Sequence, residues 1–432
     1  MNIPRLDLPR IVIIGGGFSG LKMARLIDTR KVQLVVLDRN NYHTFQPLMY
    51  QVATAGLEPD SIAYPLRKVL KKKPHTHIRM AEVHAIHSEE NILETSIGDI
   101  AYDFLIVATG ATTNFFGNQK IAELAIPMKS LTESLDLRSI LLQNFEKALQ
   151  SNSIEQQDEY MNFVIVGGGP TGVELAGALA ELKRHVLPKD YPDLDIRRMQ
   201  IHLVEASPKV LNPMSEKASA KATSFLKKMG VNVWTDTLVK DYDGITITTS
   251  KQTFKSHALI WAAGVGASFP DGLDQVELVG GRLPIDEIGR VKGYKNIFAI
   301  GDVAAHVSEE NPRGLPMLAS VAQQQGASLA KNILRLVDGK LPKPFKYKDK
   351  GTMATIGRNK AVVDLPKYSF TGFSAWLTWM FVHLMLLVDF RNRVVVLFNW
   401  IWSYINFDRG TRLIVRKVPE KIMEEKDKKE RA

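Results

Sequence analysis

Seven short apolar runs punctuate the chain: IVII at 11–14, VQLVVL at 32–37, FLIV at 104–107, FVIV at 163–166, MQIHLV at 199–204, ALIW at 258–261 and NIFAI at 296–300. Near-continuous hydrophobicity over four to six residues predicts strands buried on both faces, as in a parallel sheet covered by helices. Residues 10–110 read as strand–helix–strand, a polar loop region, and strands ending in YDFLIVATGA. Residues 116–160 contain a helical stretch and the polar segment SNSIEQQDEY, which reads as a surface linker. A second α/β unit runs from Met161 to Gly264 and closes with ALIWAAGV. The same elements recur in the same order, an internal repeat of architecture. Short alternating strands over 345–365 predict a small sheet, and a helix is expected to start near Leu318.

Two runs lead into the same turn, GGGFSG ending at Gly20 and GGGPTG ending at Gly172. Each is G-x-G-x-x-G (Gly15, Gly17, Gly20; Gly167, Gly169, Gly172) between a strand and a helix. The first glycine allows the tight turn, the second admits a pyrophosphate, and the third lets helix and strand pack closely. An acid ending the next strand should hold the adenosine ribose. Asp38 follows Gly15 by 23 residues, and Glu205 follows Gly167 by 38. The second interval is long, and the charged stretch Lys183–Arg198 accounts for the excess as helix extension and loop. Two acids disfavour a 2′-phosphate, so NAD is favoured over NADP.

The strand ends carry further candidates. Thr109 and Gly110 follow FLIV, Gly264 follows ALIW, and Gly301-Asp302 follows NIFAI. At such an end Asp302 is placed either to reach the ribityl or pyrophosphate part of a flavin or to cap the next helix.

Composition narrows the chemistry. The chain has 432 residues and no cysteine, which excludes disulfides, thiolate metal sites and cysteine redox relays. The net charge of +10 suggests an anionic partner. No nucleic-acid motif appears, and the charge distribution favours a membrane face. His75, His77, His84 and His87 fit no metal-ligand spacing, so no metal is expected. No basic-then-apolar leader precedes the first strand, so no signal peptide is expected.

NYHTFQPLMYQVATAG, GGGPTGVELAG, IGDVA and the aromatic C-terminal region together resemble the type II NADH dehydrogenases, single-subunit NADH:quinone oxidoreductases of the two-dinucleotide-binding flavoproteins. The resemblance spans Arg10 to about Ile414. It implies two Rossmann-like α/β domains: an FAD domain (1–115 with 265–335) and an NADH domain (116–264), followed by a small sheet and membrane-anchoring region (336–432). It implies a peripheral enzyme, on the cytoplasmic side of the cell membrane, that reduces ubiquinone or menaquinone and pumps no protons; a homodimer is left open. FAD-binding positions would be Gly15, Gly17, Phe18, Ser19, Gly20, Asp38, Arg39, Thr44, Phe45, Gln46, Pro47, Thr109, Gly110, Gly301 and Asp302. Nucleotide positions would be Gly167, Gly169, Thr171, Gly172, Glu205 and Gly264. Glu174 is placed by the resemblance beside nicotinamide and flavin; its residue type alone fits a first-turn glutamate equally well. The family's quinone-side A-Q-x-A-x-Q reads Ala319, Ser320, Val321, Ala322, Gln323, Gln324 here. Ser320 replaces a glutamine, so the quinone-proximal role falls on Gln324. The other function to weigh is a flavin- and NADH-binding sensor or scaffold without quinone turnover.

Residues 373–407 are the strongly lipophilic stretch, with four of the six tryptophans (Trp376, Trp379, Trp400, Trp402). The run before Asp389 has 16 residues, including His383, and is too short to span a bilayer. Two interfacial segments with tryptophans at headgroup depth are expected, against a dimer contact or buried core helix. Arg67, Lys68, Lys71, Lys72, Lys73 and Arg79, with no acid among them, add either a lipid-facing or a merely solvated positive face.

Overall fold

The structure, a computed structural model, describes residues 1–273, 276–406, 410–414 and 417–418. Two five-stranded sheets matter, and eight of their ten strands are Arg10–Ile14 (β1), Gln33–Asp38 (β2), Thr76–Met80 (β3), Phe104–Val107 (β4), Asn162–Val166 (β5), Gln200–Val204 (β6), Leu259–Trp261 (β7) and Ile297–Ala299 (β8). Three helices matter most among those that follow strands: Phe18–Leu26 (α1), Pro170–His185 (α2) and Ala319–Val337 (α3).

The chain folds as two compact units. The first comprises Met1–Thr44, Ala63–Thr112 and Val265–Asp349. Its parallel sheet runs β8-β4-β1-β2-β3. Ile11, Val12, Ile13, Leu105 and Ile297 are fully buried, as continuous apolar strands require. Helix α3 lies close on α1: a Cβ at Gly326 would come within 2.3 Å of the Ser19 carbonyl oxygen.

The second unit comprises Phe45–Ile62, Thr113–Gly264 and Lys350–Ala432. Its parallel sheet has the order Ile126–Pro127, β7, β5, β6, Asn232–Trp234. In both sheets the glycine-turn strand is flanked by the acid-ended strand on one side and the small-residue-ended strand on the other. The small antiparallel sheet Thr352–Gly357 (β9), Lys360–Asp364 (β10) and Ser369–Thr371 (β11) belongs to this unit. It is followed by the helices Phe373–Leu386 (α4) and Phe390–Asn406 (α5).

Three expectations change. The region 336–432 is not a body of its own, because β9 packs directly on α2: a Cβ at Gly177 would stand 2.1 Å from the Ile356 carbonyl oxygen. The expected linker folds instead into a helix, Ile154–Met161. Ser153 Oγ accepts the Gln156 N–H at 3.1 Å and caps it, while Tyr160 and Met161 bury its far end. The α2 helix starts at Pro170, so Glu174 is its fifth residue and lies beyond the first turn. The helix-end account of Glu174 falls.

Candidate active site

In the first unit, β1, β2, β4 and β8 bring their carboxyl ends to one edge. Gly15 is left-handed at φ +106°, and a Cβ on it would meet the Ala108 carbonyl oxygen at 2.3 Å. A side chain there would therefore drive the turn off β4. Asp38 accepts the Gly16 N–H at 2.6 Å and the Asn40 N–H at 2.7 Å. Burial raises its pKa, while these two bonds oppose the rise. Ser19 Oγ donates to the Ile300 carbonyl, and Gln325 Oε1 accepts the Gly301 N–H at 2.7 Å. The Gly301-Asp302 turn is thus braced from two helices.

The edge suits a dinucleotide. Cβ atoms added to Gly17 or Gly110 would meet nothing within 4 Å. The buried Thr109 Oγ1 has no partner. Helix α1 starts after Gly17 with no side-chain cap, so its first-turn N–H groups face the same opening. Arg39 points elsewhere, into an exposed ion pair with Glu82 at 3.6 Å. Thr44 ends a short strand in this unit, and the chain then passes into the second unit at Phe45, Gln46 and Pro47.

His43 and Gln325 also shape this edge. His43 Nδ1 lies 3.0 Å from the Gly16 carbonyl oxygen, and its ring meets Phe18 edge-on at 5.2 Å. Burial lowers its pKa, so the ring is neutral and Nδ1–H donates to that carbonyl. As for Gln325, α3 aims its amide at the Gly301 N–H.

The second unit repeats the arrangement. Gly167 has φ +110°, and its Cβ would meet the Ala262 carbonyl oxygen at 2.5 Å. Glu205 accepts the Gly168 N–H at 2.5 Å and the Ser207 N–H at 2.7 Å. A Cβ at Gly169 would meet nothing, and Gly169 ends without a side-chain cap on α2. Thr171 and Gly172 form the first turn of that helix, and Gly264 follows β7 on the same edge.

Further along α2, Glu174 is 7% exposed. The Thr355 N–H donates to its Oε1 at 3.4 Å. The Trp379 indole N–H lies near enough to favour the charged carboxylate but outside hydrogen-bonding geometry, and has no other partner. Burial dominates and pushes the Glu174 pKa up to about 8. The carboxyl borders a cavity of about 100 Å³ lined also by Tyr50, Gln51, Arg358, Trp376 and Trp400. Arg358 donates to the Ser403 and Tyr404 carbonyls at 2.6 and 2.8 Å, tying the end of α5 to the β9–β10 hairpin. Its guanidinium also sits 4.7 Å from the Tyr404 ring centre.

The expected quinone-side residues behave differently. Both ends of the Gln324 amide are engaged with the Lys348 backbone, at 2.9 and 3.0 Å. Ser320 Oγ lies 3.3 Å from the Tyr347 hydroxyl, Gln323 is half-buried and Ala322 is buried. All lie in the first unit, whereas the Glu174 cavity is built wholly within the second. Gln324 thus straps the 347–349 segment to α3.

The C-terminal tryptophans also depart from expectation. Trp379 is 2% exposed, its ring stacked on His383 at 4.1 Å. Trp400 donates Nε1 to Gln51 Oε1 at 2.8 Å, and Trp376 lines the cavity. Only Trp402 of the four is exposed. Along α4, Ala375, Trp379 and His383 are buried, while Phe373, Leu377, Phe381 and Met385 form the opposite, exposed stripe. Phe398, Ile401, Trp402 and Ile405 do the same on α5. No helix among the described residues is long and apolar enough to cross a membrane. Lys73 donates to the Ile27 carbonyl and Lys68 lies over Tyr64, so part of the basic run has structural partners. The tail from Asp408 falls mostly outside the described residues. Among the described residues, no group of three or more histidines and carboxylates is placed to hold a metal.

Comparison with known proteins agrees with this layout. Residues 9–326 match the pyridine nucleotide-disulphide oxidoreductase family, and 350–409 match the NDH2 C-terminal domain. The type II NADH:quinone oxidoreductase Ndh of Mycobacterium tuberculosis is 37% identical over 93% of this chain and 89% of its own length. The internal alternative NAD(P)H-ubiquinone oxidoreductase A1 of Arabidopsis thaliana is 30% identical over 92% of this chain and 84% of its own. The structure of Plasmodium falciparum NDH2 in complex with NADH shares the fold, with TM-score 0.85 at 22% identity over 94% of this chain and all of that one. With both nucleotide edges, and without a cysteine for disulfide chemistry, the chain belongs to the type II NADH:quinone oxidoreductases, which use FAD and NADH.

Proposed function

We propose that FAD is held along the first glycine edge, NADH along the second, and that the Glu174 cavity serves the quinone. Bound FAD supplies the capacity to accept a hydride and release two electrons. The balanced reaction, NADH plus quinone plus one proton giving NAD⁺ plus hydroquinone, takes one proton from water. A carboxyl whose pKa is pushed up to about 8 is mostly protonated at neutral pH, so Glu174 can give that proton from its carboxyl oxygen. The burial of this carboxyl on the wall of an aromatic-lined cavity is the observation that carries the assignment. Tyr50, Trp376, Trp379 and Trp400 supply flat apolar walls suited to a quinone ring, and Gln51 a polar handle.

The exposed stripes of α4 and α5 are assigned to the surface of the cell membrane, on the cytoplasmic side where NADH is found. Their phenylalanine-, leucine- and isoleucine-rich faces suit the boundary between headgroups and acyl chains. This leaves a lipid-soluble quinone a short route to the cavity, whose wall α5 forms.

The assignment of Glu174 is tested on the two half-reactions of the holoenzyme. Glu174→Gln should leave bleaching of the flavin by NADH near wild-type speed. Recolouring by a short-chain quinone should slow about tenfold or more, the lower end of general-acid contributions. An unchanged recolouring rate rejects Glu174 as the proton donor.

A further inference from the structure

Phe116 combines two features that rarely coincide. Its backbone is left-handed, φ +53°, a region that bulky side chains avoid. Its ring is 67% exposed, so no core burial offsets that strain. Three neighbours nevertheless keep it there. Asn114 Oδ1 accepts the Phe116 N–H at 2.8 Å, and the Trp261 indole N–H donates to the Asn114 carbonyl at 2.9 Å. The Trp261 ring also meets Phe115 and Phe116 at 5.6 and 6.5 Å. Gly264 leaves the room, since a Cβ there would stand 2.8 Å from Phe116 Cζ.

The ring's position gives this cluster a purpose. Trp261 ends β7, and the next two residues border the second glycine turn: a Cβ at Gly167 would come within 2.6 Å of Ala263 Cα. In this sheet β6 and β7 flank β5 on opposite sides. A dinucleotide with its pyrophosphate on the turn lays its adenosine ribose toward Glu205, at the end of β6. Its other half must then run toward the end of β7, where Phe116 stands.

We propose that Phe116 is an aromatic contact for the dihydronicotinamide half of NADH, offering a ring for stacked or edge-on packing against the flat dihydropyridine. The proposal rests on the assignment of NADH to the second turn. Strain at Phe116 is the cost of presenting this ring at the mouth of the site rather than folding it into the core.

The test uses the FAD-loaded full chain. Phe116→Asn keeps a residue that tolerates the left-handed backbone but removes the ring, and Phe116→Tyr keeps the ring. Gly264→Ala displaces the ring without removing it. NADH affinity is measured alongside inhibition by ADP-ribose, which has the pyrophosphate and adenosine but no nicotinamide. F116N and G264A should each weaken NADH about three- to tenfold, the range of an aromatic contact, and leave ADP-ribose unchanged. F116Y should match wild type. NADH affinity within twofold of wild type in F116N overturns the proposal, as does an equal loss of NADH and ADP-ribose. Glu205→Ala is the check on the underlying assignment: it should weaken both ligands. If it weakens neither, the second turn is not the NADH site and the Phe116 contact is withdrawn with it.

Discussion

Glu174→Gln has a second consequence, in stability, that is independent of turnover. Burial moves the Glu174 pKa from its ordinary 4.5 to about 8. Between those two values the folded chain holds a proton at this carboxyl that the unfolded chain has released. Stability is therefore fully present below the unfolded pKa and falls as pH rises, by about 1.4 kcal/mol per pH unit, until the folded pKa is passed. At pH 7 the accumulated loss is on the order of 3 kcal/mol, and above pH 8 on the order of 5 kcal/mol as an upper bound. Glutamine has nearly the same shape and keeps an acceptor for the Thr355 N–H, but cannot ionise.

The assay is thermal unfolding of wild type and variant in parallel from pH 5 to pH 9. The comparison cancels every other titrating group, including His43, His202 and His383, whose pKa values burial lowers. At about 2–4 °C per kcal/mol for a body of this size, the variant should gain roughly 3–5 °C on wild type for each pH unit up to 8, then hold level. A Tm difference that stays flat from pH 5 to 8 means that Glu174 ionises at its ordinary value. It would then be a carboxylate at neutral pH, with no proton to give, and its assignment as donor collapses along with the slope.

The two glycine edges should fail separately. Gly15→Ala drives a methyl to within 2.3 Å of the Ala108 carbonyl oxygen, and should yield a colourless protein that FAD does not restore. Gly167→Ala, clashing with Ala262 at 2.5 Å, should stay yellow but resist bleaching by NADH; loss of colour there would mean the two edges are not independent. Phe381→Ser together with Phe398→Ser removes two exposed rings from the α4 and α5 stripes. If each ring contributes about 1–2 kcal/mol of partial burial, vesicle binding should fall about 30-fold or more. Undiminished vesicle binding with loss of a dimer in sedimentation would assign the stripes to a second copy of the chain instead.

What could be read from the chain alone follows from how locally each feature is determined. The glycine turns, Asp38 and Glu205 were legible because a strand, a turn and a helix fix their spacing over a few dozen residues. The helix 154–161 was not, because its polar composition hid a cap at Ser153 and only two residues reach the core. The faces of α4 were illegible for a different reason. That helix is apolar all round, so no periodicity distinguishes the stripe holding Trp379 from the one holding Phe381. Packing against β10 and the Phe45–Ile62 segment makes the choice, and packing is not written in the helix itself.

Glu174 shows how far this difference reaches. Its neighbours Thr355 and Trp379 lie 181 and 205 positions further along the chain, so nothing near Glu174 announces its burial. A glutamate two residues past a glycine turn, read locally, fits a helix-start residue as well as a nucleotide contact. Its partners belong instead with the small sheet and the aromatic helices that follow it. Arg358 then joins that sheet to the end of α5, so one set of contacts buries the carboxyl and holds the helix that carries the exposed apolar stripe. Moving α5 would rehydrate the cavity and let the Glu174 pKa relax toward 4.5. On the proposed donor role of Glu174, proton delivery and the C-terminal helices share one wall. On the proposed assignment, electron entry is encoded in two local turns, whereas the exit depends on segments that meet only after the chain has folded.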